Sequence, residues 1–486
     1  MLTANGRYWT LRIMLMGVGL LPFLTAELWL RLTWSGPILQ SVDPCLDEEQ
    51  ITPLFERSGN TLCIRRERLQ FFAPARFDAV KSSNTKRIFC IGGSTTQGEP
   101  FKPPTAFPEW LEQNLSLIDP GQQWEVINCG GLSYASYRLL PILYEVLRYE
   151  PDLIVVDCGH NEFLEDREFS QWHQTPASLR KALWLARSSR LVQFACNSCT
   201  HSRRQGDDSN ATYLKQEVDA LLDYQGGLEK YHRDSSHRAS VENSLRWNVE
   251  AMIRACKHAN VPLVLLAPTC NLRDCPPFKV ECDPMIDTKL QVELNELWSQ
   301  VTTGSQPATN PIEILDRILE IDASHAGALY WRGQIALEKG EYGIAIRYLA
   351  DARDADVCPL RSSSTTQASI RELAEQHNVW CFDVDAMFRN VSKDGIVGNQ
   401  WLVDHVHPRI EGHQLMGERL AELLIREKWV KPNSDDWREH RSETYRKHLG
   451  QLGEEYFVRG KQRLSGLMLW TQGRAKKGLI FTESRL

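Results

Sequence analysis

The sequence predicts an α/β fold, a parallel five-stranded sheet with helices on both faces and a separate helical segment inserted late in it. Three observations carry the prediction. Five short apolar runs are each closed by Gly, Pro or Asp. Stretches of helical period separate them. One stretch near residue 330 repeats a pattern at a 34-residue interval.

In chain order, residues 1–34 come first. Arg7 and Arg12 precede the apolar run "IMLMGVGLLPFLTA" (Ile13 to Ala26), and "ELWLRL" follows with Glu27 and Arg31. Basic residues before an apolar run predict an uncleaved signal anchor with a cytoplasmic N-terminus, a single membrane pass and the rest of the chain on the extracytoplasmic side. A cleaved signal peptide and a buried helix are the alternatives. Leu24, three residues before a cut after Ala26, fits cleavage poorly. Residues 35–85 read as a linker and N-terminal extension.

The first part of the α/β domain spans 86–300. Its runs are "RIFCIGG" from Arg87, "WEVINCGG" from Trp124, "DLIVVDCG" from Asp152 and "VPLVLLAP" from Val261; the fifth, "VWCFDVDAM" from Val379, belongs to the second part, 358–430. Short β-branched runs are how strands buried on both faces of a parallel sheet read. "YRLLPILYEVLRYE" and "VENSLRWNVEAMIRACKHAN" supply helices before the third and fourth runs. Residues 163–240 read as a polar, helical insertion with a soft centre, "HSRRQGDDSN" (His201 to Asn210).

Residues 308–357 form the second insertion. "EILDRILEIDAS" and "AIRYLADARDAD" end alike, and Asp322 and Asp356 are 34 residues apart. That is the tetratricopeptide period, with Gly333, Gly340, Tyr342, Ala345 and Ala352 where that repeat wants small or aromatic residues. One full unit and half of another are too few to stand alone, so the segment must pack on its neighbours. The C-terminal extension, 431–486, contains "YFVRGKQRLSGLMLWTQGRAKKG", which could supply a further helix.

Composition narrows the function. Of the 486 residues 42% are hydrophobic, enough for a sizeable core. Lys+Arg 56 against Asp+Glu 62 leaves a net charge of −6 without a long basic run, which argues against nucleic acid as a partner. Thirteen cysteines leave at least one unpaired within the chain. Cys90, Cys129 and Cys158 end apolar runs and read as small core residues. Cys196 and Cys199 have redox-motif spacing but follow a helical stretch rather than a strand. Cys270, Cys275 and Cys282 lie close enough to hold one loop disulfide.

In open α/β sheets, sites form beyond the carboxyl ends of the strands. Those ends carry Gly93-Ser94, Asn128 to Gly131 and Gly159 to Glu162; far downstream, "DHVHPRIEGHQLMGERLAELL" begins at Asp404. Acyl transfer needs a nucleophile, a base, a group orienting the base, and donors for the oxyanion. Ser94 fits the first and His407 the second. Asp404, three residues earlier, can hold the imidazole tautomer. Asn161 can donate its amide to the oxyanion, and Gly130 and Ser94 their backbone N–H groups. Gly131 could replace Gly130, His405 and His413 are rival bases, and Asn161 could simply cap its own loop. Thr95 and Thr96 read as caps for the helix that presents Ser94. Glu162 reads as a structural partner for an arginine.

Asn271 and Arg273 follow the fourth run and can reach the site, so both are candidate substrate-binding residues. Tyr231 to Asp234 and Arg361 have positional support only, and salt bridges are the plainer reading for their charged groups. No metal site or cofactor is expected.

Taken together, these residues resemble the SGNH (GDSL-like) hydrolase superfamily. Its Ser, Gly, Asn and His blocks correspond to Ser94, Gly130, Asn161 and His407, with Asp404 in the Asp-x-x-His block. The resemblance runs from about Lys86 to Trp429 and extends to members that carry an N-terminal anchor and tetratricopeptide units, including the "GHNEFLEDR" stretch. It implies a three-layer α/β/α sandwich, flavodoxin-like in strand order, and metal-free hydrolysis or transfer of esters, often acetyl groups on carbohydrate. Two departures stand out: Gly-Gly-Ser replaces Gly-Asp-Ser, and Asn161-Glu162 replaces Asn-Asp. The expectation is a membrane-anchored serine esterase or O-acyltransferase acting on an acylated glycan or another cell-envelope ester. The alternative is a non-catalytic scaffold whose helical segment binds a protein partner.

Overall fold

The computed structural model describes residues 19, 21–33, 52–167, 189–192, 214–215, 217–223, 227–302, 310–433 and 436–475. It divides into two compact units, Met1–Ile51 with Arg167–Lys215 and Thr52–Asp166 with Gln216–Leu486.

In the first unit, residues 21–33 form helix α1, with Leu21, Phe23, Leu24, Leu28 and Trp29 exposed. Glu27 pairs with Arg31 at 2.8 Å and accepts from Ser189 Oγ and the N–H groups of Arg190 and Leu191. One carboxylate thus satisfies the first turn of a second helix. Among the described residues no helix is long and apolar enough to cross a membrane. Most of the expected anchor before residue 21, Cys196, Cys199 and the stretch His201 to Asn210 lie outside the described residues.

The second unit opens with an antiparallel sheet, β1 (Phe55–Ser58), β2 (Thr61–Ile64) and β3 (Arg76–Asp78). Five parallel strands follow: β4 (Thr85–Gly92), β5 (Gln123–Gly130), β6 (Leu153–Asp157), β7 (Leu263–Ala267) and β8 (Trp380–Asp383), in the order β5-β4-β6-β7-β8. The connection from β4 leads to one side of it, and β6 to β8 run off to the other. Sites form where the order reverses, which here is between β4 and β6.

The helices of this unit are α2 (Ser94–Gln97), α3 (Phe107–Ile118), α4 (Ser136–Val146), α5 (Ser235–His258), α6 (Thr288–Thr302), α7 (Pro311–Ile321), α8 (Ala326–Glu338), α9 (Tyr342–Asp354), α10 (Ser364–His377), α11 (Val384–Val391), α12 (Ile410–Arg426), α13 (Trp437–Gln451) and α14 (Glu454–Ala475). Alternate strand residues face opposite sides. Ile88, Cys90, Leu153, Val155, Val264, Leu266 and Phe382 join one core with Phe107 and Leu111 of α3 and Leu420 and Leu424 of α12. The other face is covered by α4 against β4 and α10 against β7 and β8, with α5 packed on both helices. The result is three layers. Each fully buried Val, Leu or Ile contributes about 1.5–3 kcal/mol of transfer free energy.

Local signals explain most boundaries. Asp234 caps α5 by accepting from the Ser236 and His237 N–H groups, and Ser363 caps α10 by accepting from Thr366. The fifth strand is shorter than "VWCFDVDAM" suggests. Asp383 accepts from the Ala386 N–H and starts α11, so Val384 onward is helical.

The late insertion is α6 to α9, each packed on the next. A Cβ on Gly333 would lie 2.7 Å from Leu349 Cγ, so glycine there sets the close approach of α8 and α9. The segment does pack on its neighbours: Leu329, Tyr330 and Leu349 share a core with Cys270, Leu272 and Val406. The C-terminal helices do not extend it. Tyr445 of α13 stacks on Trp110, and Tyr456 and Arg463 of α14 bond Thr105 Oγ1 and the Pro100 carbonyl. Cys270, Cys275 and Cys282 are all free thiols, so the expected loop disulfide is not formed. Cys270 is buried with the Arg353 guanidinium 3.6 Å from its sulfur.

Candidate active site

Ser94 is the first residue of α2, straight after β4. The two glycines before it are steric requirements. A Cβ on Gly92 would sit 2.0 Å from Thr96 Oγ1, and one on Gly93 would sit 2.8 Å from Asn161 Nδ2. Thr95 and Thr96 do not cap the helix as expected. Both hydroxyls donate to Asp157 Oδ2, at 2.6 and 3.2 Å, and so tie the nucleophile turn to the end of β6. Burial raises the Asp157 carboxyl pKa and the two hydroxyls oppose it.

His407 Nε2 lies 2.7 Å from Ser94 Oγ, and His407 Nδ1 lies 2.7 Å from Asp404 Oδ2. The loop that holds this pair is closed by the Val403 N–H to His407 carbonyl and Arg409 N–H to Trp401 carbonyl bonds, both 2.8 Å. Asp404 Oδ1 also accepts from the Val406 and His407 N–H groups at 2.9 and 2.8 Å. One carboxylate therefore shapes the turn and orients the imidazole, which is why the Asp-x-x-His spacing works. Burial disfavours the His407 imidazolium, but the Asp404 charge and hydrogen bond outweigh it and raise the pKa. Burial opposes the Asp404 carboxylate too, yet His407 and His405 hold its pKa well below the usual range.

The rival bases are excluded by geometry. His405 Nδ1 is 3.6 Å from Asp404 Oδ2, and burial holds its pKa down to about 4. His413 has both ring nitrogens buried without partners among the described residues, and burial holds it to about 3. Asp404, His405 and His407 place possible ligand atoms within 4.8 Å of one another. Both nitrogens of His407 are engaged, one by Ser94 and one by Asp404, so the arrangement fits a hydrogen-bonded triad.

Asn161 Nδ2 donates to the Tyr134 carbonyl at 3.1 Å, which orients the amide beside Gly93 and leaves its second N–H free to donate. The glycine pair departs from expectation. Gly130 N–H donates to Asn128 Oδ1 at 2.9 Å, and Gly131 N–H donates to the Gly92 carbonyl at 2.9 Å. Neither is open to an oxyanion. Gly130 instead admits α2, since a Cβ there would lie 2.2 Å from the Gln97 nitrogen. Ser133, two residues after Gly131, holds φ 61, and its N–H has no acceptor among the described residues. It sits between Gly131, bonded to Gly92, and Tyr134, bonded to Asn161. A serine in the left-handed region carries no sequence signal, so sequence reasoning passes over it.

Asn271 and Arg273 are both tied to other parts of the chain. Asn271 is buried; its amide donates to Asn399 Oδ1 and to the Asp404 carbonyl, and its N–H donates to the His405 carbonyl. It is a bracket for the catalytic loop. Arg273 pairs with Asp394 at 2.7 Å, and its carbonyl accepts from Tyr330 and Gln334 of α8. The Asn271 amide is thus engaged at both its nitrogen and its oxygen, which accepts from the Asp274 N–H, while Arg273 gives one guanidinium nitrogen to Asp394. Arg361 is buried, bonding the Asn271 and Cys275 carbonyls and pairing with Asp356, and Arg233 pairs with Asp322; both are structural, as expected. Tyr231 Oη donates to the Phe163 carbonyl. Glu162 accepts from the N–H and hydroxyl of Ser136 at the start of α4.

No family model matches the chain, and no curated protein matches it. Among solved structures it is similar to a lipase/acylhydrolase from Enterococcus faecalis, at 15% identity over 72% of this chain and 99% of that one, with a TM-score of 0.31. It is similar to an acetylxylan esterase from Geobacillus stearothermophilus, at 13% identity over 72% and 95%, TM-score 0.31. A GDSL-like lipase from Bacteroides thetaiotaomicron shares 11% identity over 72% and 93%, TM-score 0.29.

Proposed function

We propose that this chain is an SGNH-type serine esterase or O-acyltransferase working through an acyl-enzyme on Ser94. The observation that supports it best is the continuous chain from Ser94 Oγ through His407 to Asp404, 2.7 Å at each step. His407 Nε2 takes the Ser94 proton as Oγ attacks the ester carbonyl. The oxyanion faces the Ser94 N–H, the Ser133 N–H and Asn161 Nδ2. The first-turn N–H of α2 has no partner within its helix, so Ser94 has one to give. Collapse sends the proton from His407 to the leaving alcohol. Water or a second hydroxyl then reverses the steps, giving hydrolysis or transfer.

The substrate in this reading is an acylated glycan or another cell-envelope ester, reached from a membrane tether at residues 1–34. The basic-then-apolar pattern and the exposed apolar side chains of α1 support the tether. Removing residues 1–34 should abolish co-sedimentation with lipid vesicles; unchanged co-sedimentation would refute it. For the chemistry, Ser94→Ala should lower turnover of a simple acetyl ester by about a millionfold, to background. Turnover equal to the unmodified chain would overturn the proposal.

A further inference from the structure

Three buried histidines surround His407 closely enough to feel its charge: His160, His405 and His413. Among the described residues, His413 and the Nδ1 of His405 are sealed away without partners. His160 differs. The Ser362 N–H donates to its Nδ1 at 3.2 Å. A backbone amide can only donate, so Nδ1 carries the lone pair and the proton sits on Nε2. That Nε2–H has no acceptor among the described residues, and it is not one of the sealed nitrogens. Burial holds the ring to a pKa of about 3, so it stays neutral across the working range. Gly159, at φ 119, sets the turn that carries His160 and Asn161 together.

We infer that His160 is a further catalytic residue, a fixed neutral donor whose Nε2–H binds the alcohol oxygen of the ester. This rests on the acyl-enzyme reading above. The oxyanion already has three donors from other residues. His160 adjoins Asn161 in the chain and feels the charges of His407, the group that delivers the proton to the leaving oxygen, and of Asp404. As the acyl C–O bond breaks, that oxygen gains the proton His407 took from Ser94. His160 hydrogen-bonds the same oxygen and keeps its own proton throughout. In deacylation it holds the attacking oxygen of water or of a second alcohol.

The test uses the full chain and acetyl esters whose alcohols differ in basicity: p-nitrophenyl, phenyl and ethyl acetate. His160→Asn keeps an acceptor for the Ser362 N–H but shortens the donor. His160→Gln restores its reach. His160→Asn should lose at least about tenfold in kcat/KM on ethyl acetate, the order of one hydrogen bond. It should lose little on p-nitrophenyl acetate, whose leaving group needs no donor, and His160→Gln should recover most of the loss. Labelling of Ser94 by a fluorophosphonate should stay unchanged in both variants. Equal losses across the three esters, no loss on ethyl acetate, or no recovery with glutamine would overturn the assignment. An unmodified chain that takes no label would instead bring down the acyl-enzyme reading.

Discussion

Two loops at the same edge of the sheet make an instructive pair. The turn after β6 and the turn after β7 both place polar residues beyond a strand end, Asn161 in one and Asn271 with Arg273 in the other. Asn161 spends one amide hydrogen on the Tyr134 carbonyl and keeps the other. Asn271 spends its amide on Asn399 and Asp404, and Arg273 gives its Nη1 to Asp394. Position brings a residue within reach of a site; an unspent donor is what lets it act there. The first turn therefore serves the reacting atoms and the second holds the loop that serves them.

Substitutions on the two sides should separate by size and by kind. Asp404→Asn supports the wrong tautomer of His407 and should lower kcat by about 10⁴-fold with the fold intact, measured by steady-state kinetics and circular dichroism. Asn161→Ala should cost about 10²–10³ in kcat with little change in KM, as for a lost oxyanion donor. Asn271→Ala should show chiefly in stability, by about 1–3 kcal/mol in urea unfolding, because it orphans buried carbonyls. Arg273→Ala should change stability by about 1 kcal/mol or less and leave KM unaltered. A KM rise of tenfold or more in Arg273→Ala would restore it as a substrate contact and break the distinction.

The acid side of the pH profile sharpens the same contrast. The base must be neutral, and Asp404 raises the His407 pKa. Activity should therefore rise with pH through an apparent pKa above the ordinary 6.5 of a histidine and fall below it. A midpoint well under 6.5 in the unmodified chain would contradict the paired His407.

The strands and the Asp404–His407 pair were legible because their signals are local. Apolar runs mark β4 to β8, and Asp404 and His407 share one turn. What stayed illegible depends on partners distant in sequence or on backbone angle. Asn271 looks free until Asn399 and Asp404 arrive from more than 120 residues away. Gly130 looks like an oxyanion donor until Asn128 claims its N–H. Ser133, proposed in its place, is marked only by its φ of 61. The helical character of the late segment was legible from its amphipathic pattern, but its attachment to Val406, beside His407, was not.

The most direct test of the central claim is peptide mapping by mass spectrometry after treatment with a fluorophosphonate. The account predicts a single adduct on the peptide containing Ser94, absent in Ser94→Ala and strongly slowed in His407→Ala. An adduct on another serine, or none on the folded chain, would contradict it.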